Sequence, residues 1–282
     1  MSKIPAGVEL DQLNVAARRV LLDGLGALGE HLDAVVVIGA QAVHLRASEA
    51  SVAGAAFTSD GDLGIDPELL GERPLIDDVL RDAGFFLRDQ NQPGLWARTV
   101  PVGEKSVDVE LDVLVGESFV QGGRGARIPP HSKMCAMKVP GIELAVVDRS
   151  PMTIASLDPD DARTVVVNVA GPAALLVAKA YKIADRLRNA ERRPDRLTDK
   201  DAGDVVRVMM ATPVRQVATT FDVLKSDSRV DEVTATGLAM LRTQFGGADA
   251  TGVRMAVSAL AGSVPEARIR ALAPAFVARL PA

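Results

Sequence analysis

Residues 34–47 have the sequence AVVVIGAQAVHLRA, in which an uninterrupted apolar run ends at Gly39 and polar residues return after it. A continuous β-branched run of this length is typical of a strand that is buried on both faces. Glycine at its end permits a tight turn, and the composition of Gln41–Ala47 favours a helix. These residues therefore predict a buried strand, a tight turn and a helix.

The segments around this unit predict a sheet with flanking helices, followed by a helical region. The apolar spacing over 8–32 is helical, a small-residue loop is expected at 48–56, and Pro74 is expected to start a helix that ends at Ala83. Strands are predicted at 84–88, 94–100, 106–116 and 163–169, and the last of these is expected to be buried like the first strand. Irregular structure with short elements is predicted at 117–162. Helices are predicted at 171–190, 199–212, 213–225, 229–244, 250–262 and 264–280. The predicted class is α+β, with one domain over 1–165 and a mostly helical domain over 166–282.

Composition excludes several classes of protein. The 282 residues are 48% apolar, which is enough for a sizeable core. One cysteine and three distant histidines exclude an intramolecular disulfide and a cysteine-based zinc site. The first residues have no apolar signal core, and no apolar stretch is long enough to span a membrane. We therefore expect a cytoplasmic protein without membrane contact.

The charge is unevenly distributed along the chain. Residues 1–150 carry 14 Lys and Arg against 22 Asp and Glu, whereas residues 151–282 carry 18 against 15. The balances of −8 and +3 are consistent with a metal-binding surface in the first half and an anion-binding surface in the second.

Asp60 and Asp62 are the first candidate site residues. They lie in Thr58–Asp66, TSDGDLGID, and in an extended segment their side chains leave the same face. Two carboxylates placed in this way could bind Mg²⁺ jointly, because this cation prefers oxygen ligands. The alternative interpretation is a solvated turn, since Asp-Gly is common in hairpins.

Asp112 is the third acidic candidate. It lies in VDVELDVLV at 107–115, where acidic residues alternate with apolar ones and share one face with it. A sheet with one wet face would explain the alternation. However, Asp112 has the most apolar neighbours of the three acids, so it is the one expected to enter a site.

The later helices add a basic stripe and a buried lysine. Lys179, Lys182 and Arg186 share one face of a predicted helix, and Lys179 interrupts an apolar run. In the next helix, the first-turn dipole explains Asp201. Asp204 lies beyond the first turn, and a buried lysine from the preceding helix would explain it.

Three of these segments, in this order, resemble the motifs of the nucleotidyltransferase superfamily related to DNA polymerase β. They are Ile38-Gly39-Ala40, Asp60-Gly61-Asp62 and Leu111-Asp112-Val113. The later segments AKAYKIADR and DKDAGDV resemble the lysine and Lys-Asp-x-x-Asp motifs of AbiEii-like nucleotidyltransferases. That family includes toxins of abortive-infection and type IV toxin–antitoxin systems, among them the MenT group. The resemblance covers about residues 40–210, roughly 60% of the chain.

The resemblance implies a role for each matching residue. Asp60 and Asp62 would bind Mg²⁺ or Mn²⁺ together with the triphosphate of an NTP, and Asp112 would hold a second metal and help to activate the attacking hydroxyl. Lys179 would contact the triphosphate or the transition state, and Asp204 would orient Lys179 or contact substrate. The residues expected to bind the nucleotide are Gly39, Ala40, Thr58, Ser59, Lys182 and Arg186.

Two residues depart from the family pattern. Ala40 replaces the usual serine or glycine, so a phosphate-binding hydroxyl is missing. Gly61 replaces an apolar residue, which predicts a loosened or bulged strand.

The expected function is transfer of NMP from an NTP to a macromolecular acceptor such as the 3′ end of tRNA or another RNA. A separate antitoxin chain is the expected protein partner. Two alternatives remain open, namely a two-metal nuclease and a degenerate domain that binds a nucleotide or a partner without catalysis. Trp96 and Tyr181, each the only residue of its type, are too few for a base-stacking platform.

Overall fold

A computed structural model describes residues 9–47 and 58–282, so the predicted loop at 48–56 lies outside the described residues. Within those ranges, none of the helices has both the length and the apolar character needed to cross a bilayer. The helices are α1 Leu10–Ala27, α2 Gly39–Ala47, α3 Ile76–Asp82, α4 Pro172–Arg188, α5 Lys200–Ala211, α6 Val214–Ser226, α7 Asp231–Phe245, α8 Thr251–Ala259 and α9 Glu266–Val277. The prediction of a mixed sheet followed by a helical region is confirmed at this level.

One mixed sheet forms the first part of the molecule. Its strands are β1 Val35–Ile38, β2 Asp60–Ile65, β3 Phe86–Leu87, β4 Leu95–Val102, β5 Lys105–Gly116, β6 Met137–Val139, β7 Arg149–Ala155 and β8 Thr164–Ala170. Their order is β3-β4-β5-β2-β1-β8-β7, with β6 beside the end of β5. The pairs β2–β5, β1–β8 and β5–β6 are parallel, and the other pairs are antiparallel.

The pairing of β2 with β5 determines which side chains share a face. Asp60 lies opposite Glu110 and Asp62 opposite Asp112, and the register continues without interruption to Ile65. Paired residues point to the same side of a sheet and alternate along each strand. The acidic residues therefore occupy one face of β2 and β5.

Gly61 lies on the other face, against α1. A Cβ atom at this position would lie 3.0 Å from Leu111 Cδ1 and 3.3 Å from Leu21 Cδ1. Both leucines are fully buried and occupy the volume that a larger residue would need. The predicted bulge is wrong, because this leucine packing compensates for the missing side chain and β2 stays regular.

The helical region packs on the sheet through α2, which contacts β1, β2, α4 and α5. The predicted domain boundary at 165/166 falls within β8, which lies between β1 and β7 in the sheet. The helical region therefore begins at Pro172, and one apolar core extends through both regions.

Three local predictions are corrected. Arg149–Ala155 forms β7, an ordered edge strand within the segment expected to be mostly irregular. β8 is not buried on both faces, since Val166 is 63% exposed. Pro74 precedes α3 and is not its first residue, because the helix begins at Ile76.

The substitution Gly61→Val tests the packing beneath the carboxylates. Overfilling the contact with Leu21 and Leu111 is expected to lower the free energy of unfolding by about 1–3 kcal/mol in urea titrations. In the Leu21→Ala background, where the neighbouring side chain is shorter, the addition of Gly61→Val should cost less free energy of unfolding than it does in the wild type. A single variant as stable as the wild type would contradict this account of the strand.

Candidate active site

Asp62 and Asp112 lie side by side on neighbouring strands, one strand spacing or about 4.8 Å apart along the sheet. Both side chains are partly buried, and Asp112 Oδ1 is enclosed without a hydrogen-bond partner. Asp60 shares their face, and its Oδ1 accepts a 2.5 Å hydrogen bond from the buried Thr58 hydroxyl. The structure therefore brings together the three carboxylates predicted from the sequence.

The environment of this group disfavours negative charge. Burial raises the pKa of Asp112 well above its usual value, and the charges of Asp62 and Asp60 raise it further. Burial and Asp60 likewise raise the pKa of Asp62. Like charges placed opposite each other on a sheet repel, so the ionised group requires a cation.

Gly39 brings the start of α2 against Asp62. Its φ of +67° is in the left-handed region, and a Cβ atom there would lie 1.8 Å from Asp62 Oδ2. Any other residue would clash with the carboxylate and strain the turn. Ala40, which follows, is buried, so this turn offers backbone groups and no hydroxyl to a ligand.

Lys179 belongs to a buried ion-pair network between α4 and α5. Its ammonium donates to Asp201 Oδ1 and Asp204 Oδ2, each at 2.8 Å. Burial alone would lower the pKa of Lys179, but Asp204 and Asp201 more than offset it, so the lysine stays charged. The predicted pairing of Asp204 with a buried lysine is confirmed. Lys179 itself is only 4% exposed in this pairing. Its contact with a triphosphate or a transition state stays a prediction.

Asp201 is a network residue that the sequence interpretation missed. It pairs with Arg186, whose Nη1 also donates to Thr198 Oγ1 at 2.9 Å. Lys182 is half-exposed, with its ammonium 3.9 Å from Asp201 Oδ1. The basic stripe on α4 gave no specific signal for it, because a row of cations on one face of a helix is usually solvated.

The network also acts on the acidic group. Lys182, Lys179 and Lys200 each lower the pKa of Asp62, in opposition to burial and Asp60. Among these cations, Lys182 and Lys200 are exposed and Lys179 is buried. The site thus has carboxylates on the sheet and accessible cations on the helices that face them.

His44 of α2 lies near this network and was not singled out from the sequence. Burial lowers the pKa of its imidazole to about 4, with Asp204 opposing that change. Its Nε2 is enclosed without a hydrogen-bond partner. The ring is therefore neutral at pH 7 and adds no positive charge.

The carboxylates form an open ligand set for a metal ion. Within the described ranges, no group of three or more His, Cys, Asp or Glu residues is placed so that it could hold a metal ion. Mg²⁺, however, is often bound by one or two carboxylates, with water and substrate phosphates completing its shell. The unpartnered Asp112 Oδ1 beside Asp62 fits that arrangement.

No protein-family model, curated protein or solved structure matches this chain. The assignment of a function therefore depends on the geometry and chemistry of the site.

Neutralising Asp112 tests the repulsion within the acidic group. A carboxyl whose pKa is raised by folding destabilises the folded state once pH exceeds its unfolded value of 3.8. Asp112→Asn is therefore expected to stabilise the metal-free protein at pH 7 by about 1 kcal/mol, or roughly 2–4 °C in melting temperature. The difference should shrink below pH 4, and Mg²⁺ should stabilise the wild type more than the variant. Asp108→Asn, an exposed acid on the same strand, is the matched control, and equal effects in both variants would refute the repulsion.

Removing Lys179 tests the ion-pair network. Lys179→Met leaves two buried carboxylates with fewer partners, so we expect a loss of about 3 kcal/mol in chemical denaturation. Lys182→Met on the same helix removes a half-exposed charge and should cost less than about 1 kcal/mol. Similar losses of stability in the two variants would show that the buried ion pairs of Lys179 contribute no more than the half-exposed charge of Lys182.

Proposed function

We propose that this protein is a Mg²⁺-dependent nucleotidyltransferase that moves NMP from an NTP to the 3′ hydroxyl of an RNA acceptor. The observation that carries the proposal is the pair Asp62 and Asp112, held side by side with one buried oxygen unpartnered and exposed lysines facing it. This combination suits a substrate that presents a cation and phosphate oxygens together.

The chemistry follows from the groups present. The acceptor oxygen forms a bond to the α-phosphorus, the bond from that phosphorus to the bridging oxygen breaks, and pyrophosphate leaves. Asp62 and Asp112 would hold Mg²⁺ or Mn²⁺ together with the substrate phosphates, with Asp60 beside them, and the ion would neutralise charge on the phosphate oxygens. In this proposal, Asp112 accepts the proton of the attacking hydroxyl.

The lysines divide into two functions. Lys182 and Lys200 are exposed and near enough to lower the pKa of Asp62, so we assign them to the β- and γ-phosphates. Lys179 is enclosed between Asp201 and Asp204 and acts as a positioning residue that joins α4 to α5. Arg186 is bound to Asp201 and Thr198, so its predicted contact with nucleotide would require it to leave those partners.

The acceptor is assigned to RNA because of the basic stretch that follows the site. Arg192, Arg193 and Arg196 lie just beyond α4 and are exposed. Exposed arginines bind phosphates in a salt-dependent manner that does not require sequence recognition. The proposal includes the toxin role and the separate antitoxin partner, which come from the motif resemblance, and the cytoplasmic location, which comes from the sequence composition.

One observation favours a second candidate, a domain that binds a nucleotide without turning it over. Ala40 is buried and offers no hydroxyl at the start of α2, where the family pattern has serine or glycine. Tight NTP binding in calorimetry without product would identify this function.

The test uses each of the four NTPs, labelled at the α-phosphate, with whole-cell RNA and protein as acceptors. The wild type should transfer label to RNA in the presence of Mg²⁺, and Asp62→Asn or Asp112→Asn should reduce the rate at least about 100-fold. Asp108→Asn should retain the wild-type rate.

Three outcomes would contradict the proposal. Absence of transfer from all four NTPs would exclude it, as would equal transfer by the wild type and Asp112→Asn. Loss of RNA without NTP would indicate the two-metal nuclease instead.

A further inference from the structure

β3 and the residue after it present an aromatic and a basic side chain at the edge of the sheet. Phe85 and Leu87 are buried, whereas the alternate residues Phe86 and Arg88 are exposed. Phe86 is 38% exposed, and among the exposed large apolar residues of the described ranges it alone is aromatic. Nucleic-acid bases can stack on an accessible aromatic ring of this kind.

The strand register places these side chains on the face of the carboxylates. Phe86 lies opposite Ala97, Ala97 opposite Glu110, and Glu110 opposite Asp60. The amide of Arg88 donates to Leu95, the residue that lies opposite Asp112. β3 and β5 are two strand spacings apart, or about 10 Å. A ligand on β3 is therefore close enough to place a neighbouring group at Asp112.

Arg88 extends positive charge from β3 towards the acidic group. It forms an ion pair with Glu110 and lowers the pKa of Asp112. Its side chain is 53% exposed, and a guanidinium has five donors, of which one carboxylate can occupy only some. The remaining donors are available to a phosphate.

The two sources of positive charge lie on different sides of the acids. Lys182 and Lys200 belong to α4 and α5, which reach the sheet through α2 on β1 and β2. Arg88 directly follows β3, the edge strand that lies on the other side of β5 and β2 from β1. The triphosphate, which carries the higher charge, is drawn to the two lysines, and this leaves the β3 edge for the second substrate.

We propose that Phe86 and Arg88 bind the terminal nucleotide of a single-stranded RNA acceptor, with its base stacked on Phe86 and its phosphate paired with Arg88. This inference rests on the proposed function and identifies the acceptor subsite of the same active site. It also revises the expectation about aromatic residues, since Trp96 is fully buried and donates to Cys135 O at 3.0 Å. A base within a duplex could not stack on Phe86, so the acceptor end is unpaired.

The experiment measures the binding of a fluorescent hexaribonucleotide with a free 3′ hydroxyl by anisotropy, with Mg²⁺ and without NTP. Phe86→Ala should weaken binding about tenfold, and Phe86→Tyr should remain within about twofold of the wild type. Arg88→Gln should reduce the slope of log affinity against log salt by about 0.7, the value for one phosphate contact on a single strand. Val223→Ala, at a residue 58% exposed on α6, is the matched surface control.

Calorimetry with NTP alone distinguishes the two substrates. NTP affinity should be unchanged in Phe86→Ala, and a duplex RNA of the same length should bind both proteins equally.

The subsite assignment is overturned if Phe86→Ala binds the hexaribonucleotide normally, if it loses NTP affinity instead, or if the wild type binds no RNA. RNA binding that depends on Phe86 in a protein that transfers no NMP would support the subsite and refute the proposed enzyme. Transfer of NMP to RNA by Phe86→Ala with an unchanged KM for the RNA acceptor would support the proposed enzyme and refute the subsite.

Discussion

The repulsion between Asp62 and Asp112 is the constraint on which the site depends. The parallel register of β2 and β5 places these residues opposite each other, and burial makes their charges more costly. Without support, the strands would relieve the repulsion by slipping or separating. The packing on the opposite face of the sheet prevents this, because leucines of α1 and β5 contact Gly61 there. A shift of the strand by one residue would turn its core-facing side chains towards solvent. The molecule thus holds two carboxylates in a geometry whose repulsion a bound cation or a bound proton would relieve.

The network around Lys179 has a corresponding function on the helical side. Two buried carboxylates and the cations around them fix α4 against α5, and the exposed Lys182 and Lys200 emerge from those helices. A buried network of this kind contributes little net stability relative to an apolar core, but it specifies a unique arrangement when all its members are paired. We interpret the network as the element that fixes the positions of the two exposed lysines relative to Asp62. In this interpretation, the free-energy cost of burying these charges is the cost of holding the two exposed lysines in place relative to Asp62.

The sequence predicted those features that depend on local periodicity. Alternation placed Asp60 and Asp62 on one face of a strand and Asp112 on the acidic face of another, and the motif resemblance joined the three. An apolar run interrupted by Lys179 indicated a buried partner for Asp204. The misses depend on contacts between distant segments. Asp201 satisfies an ordinary helix-dipole pattern, and only the docking of α4 shows that it is shared by several cations. Phe86 lies in a short apolar segment, and its exposure depends on β3 being the edge strand. Gly61 suggested a weak strand because its packing partner, Leu21, is 40 residues away in the chain.

The uneven charge of the chain is a consequence of how the site is divided. The balance of −8 over residues 1–150 includes the three carboxylates, and the balance of +3 over residues 151–282 includes the lysines that face them. The net charge of the whole chain therefore says little about a nucleic-acid partner, because the electrostatic field at the site depends on the charged groups around it. In-line transfer requires the attacking and leaving oxygens on opposite sides of the phosphorus. Arg88, directly after β3, and the lysines of α4 and α5 lie on different sides of the acids, and under the proposed function this arrangement would accommodate two anionic substrates.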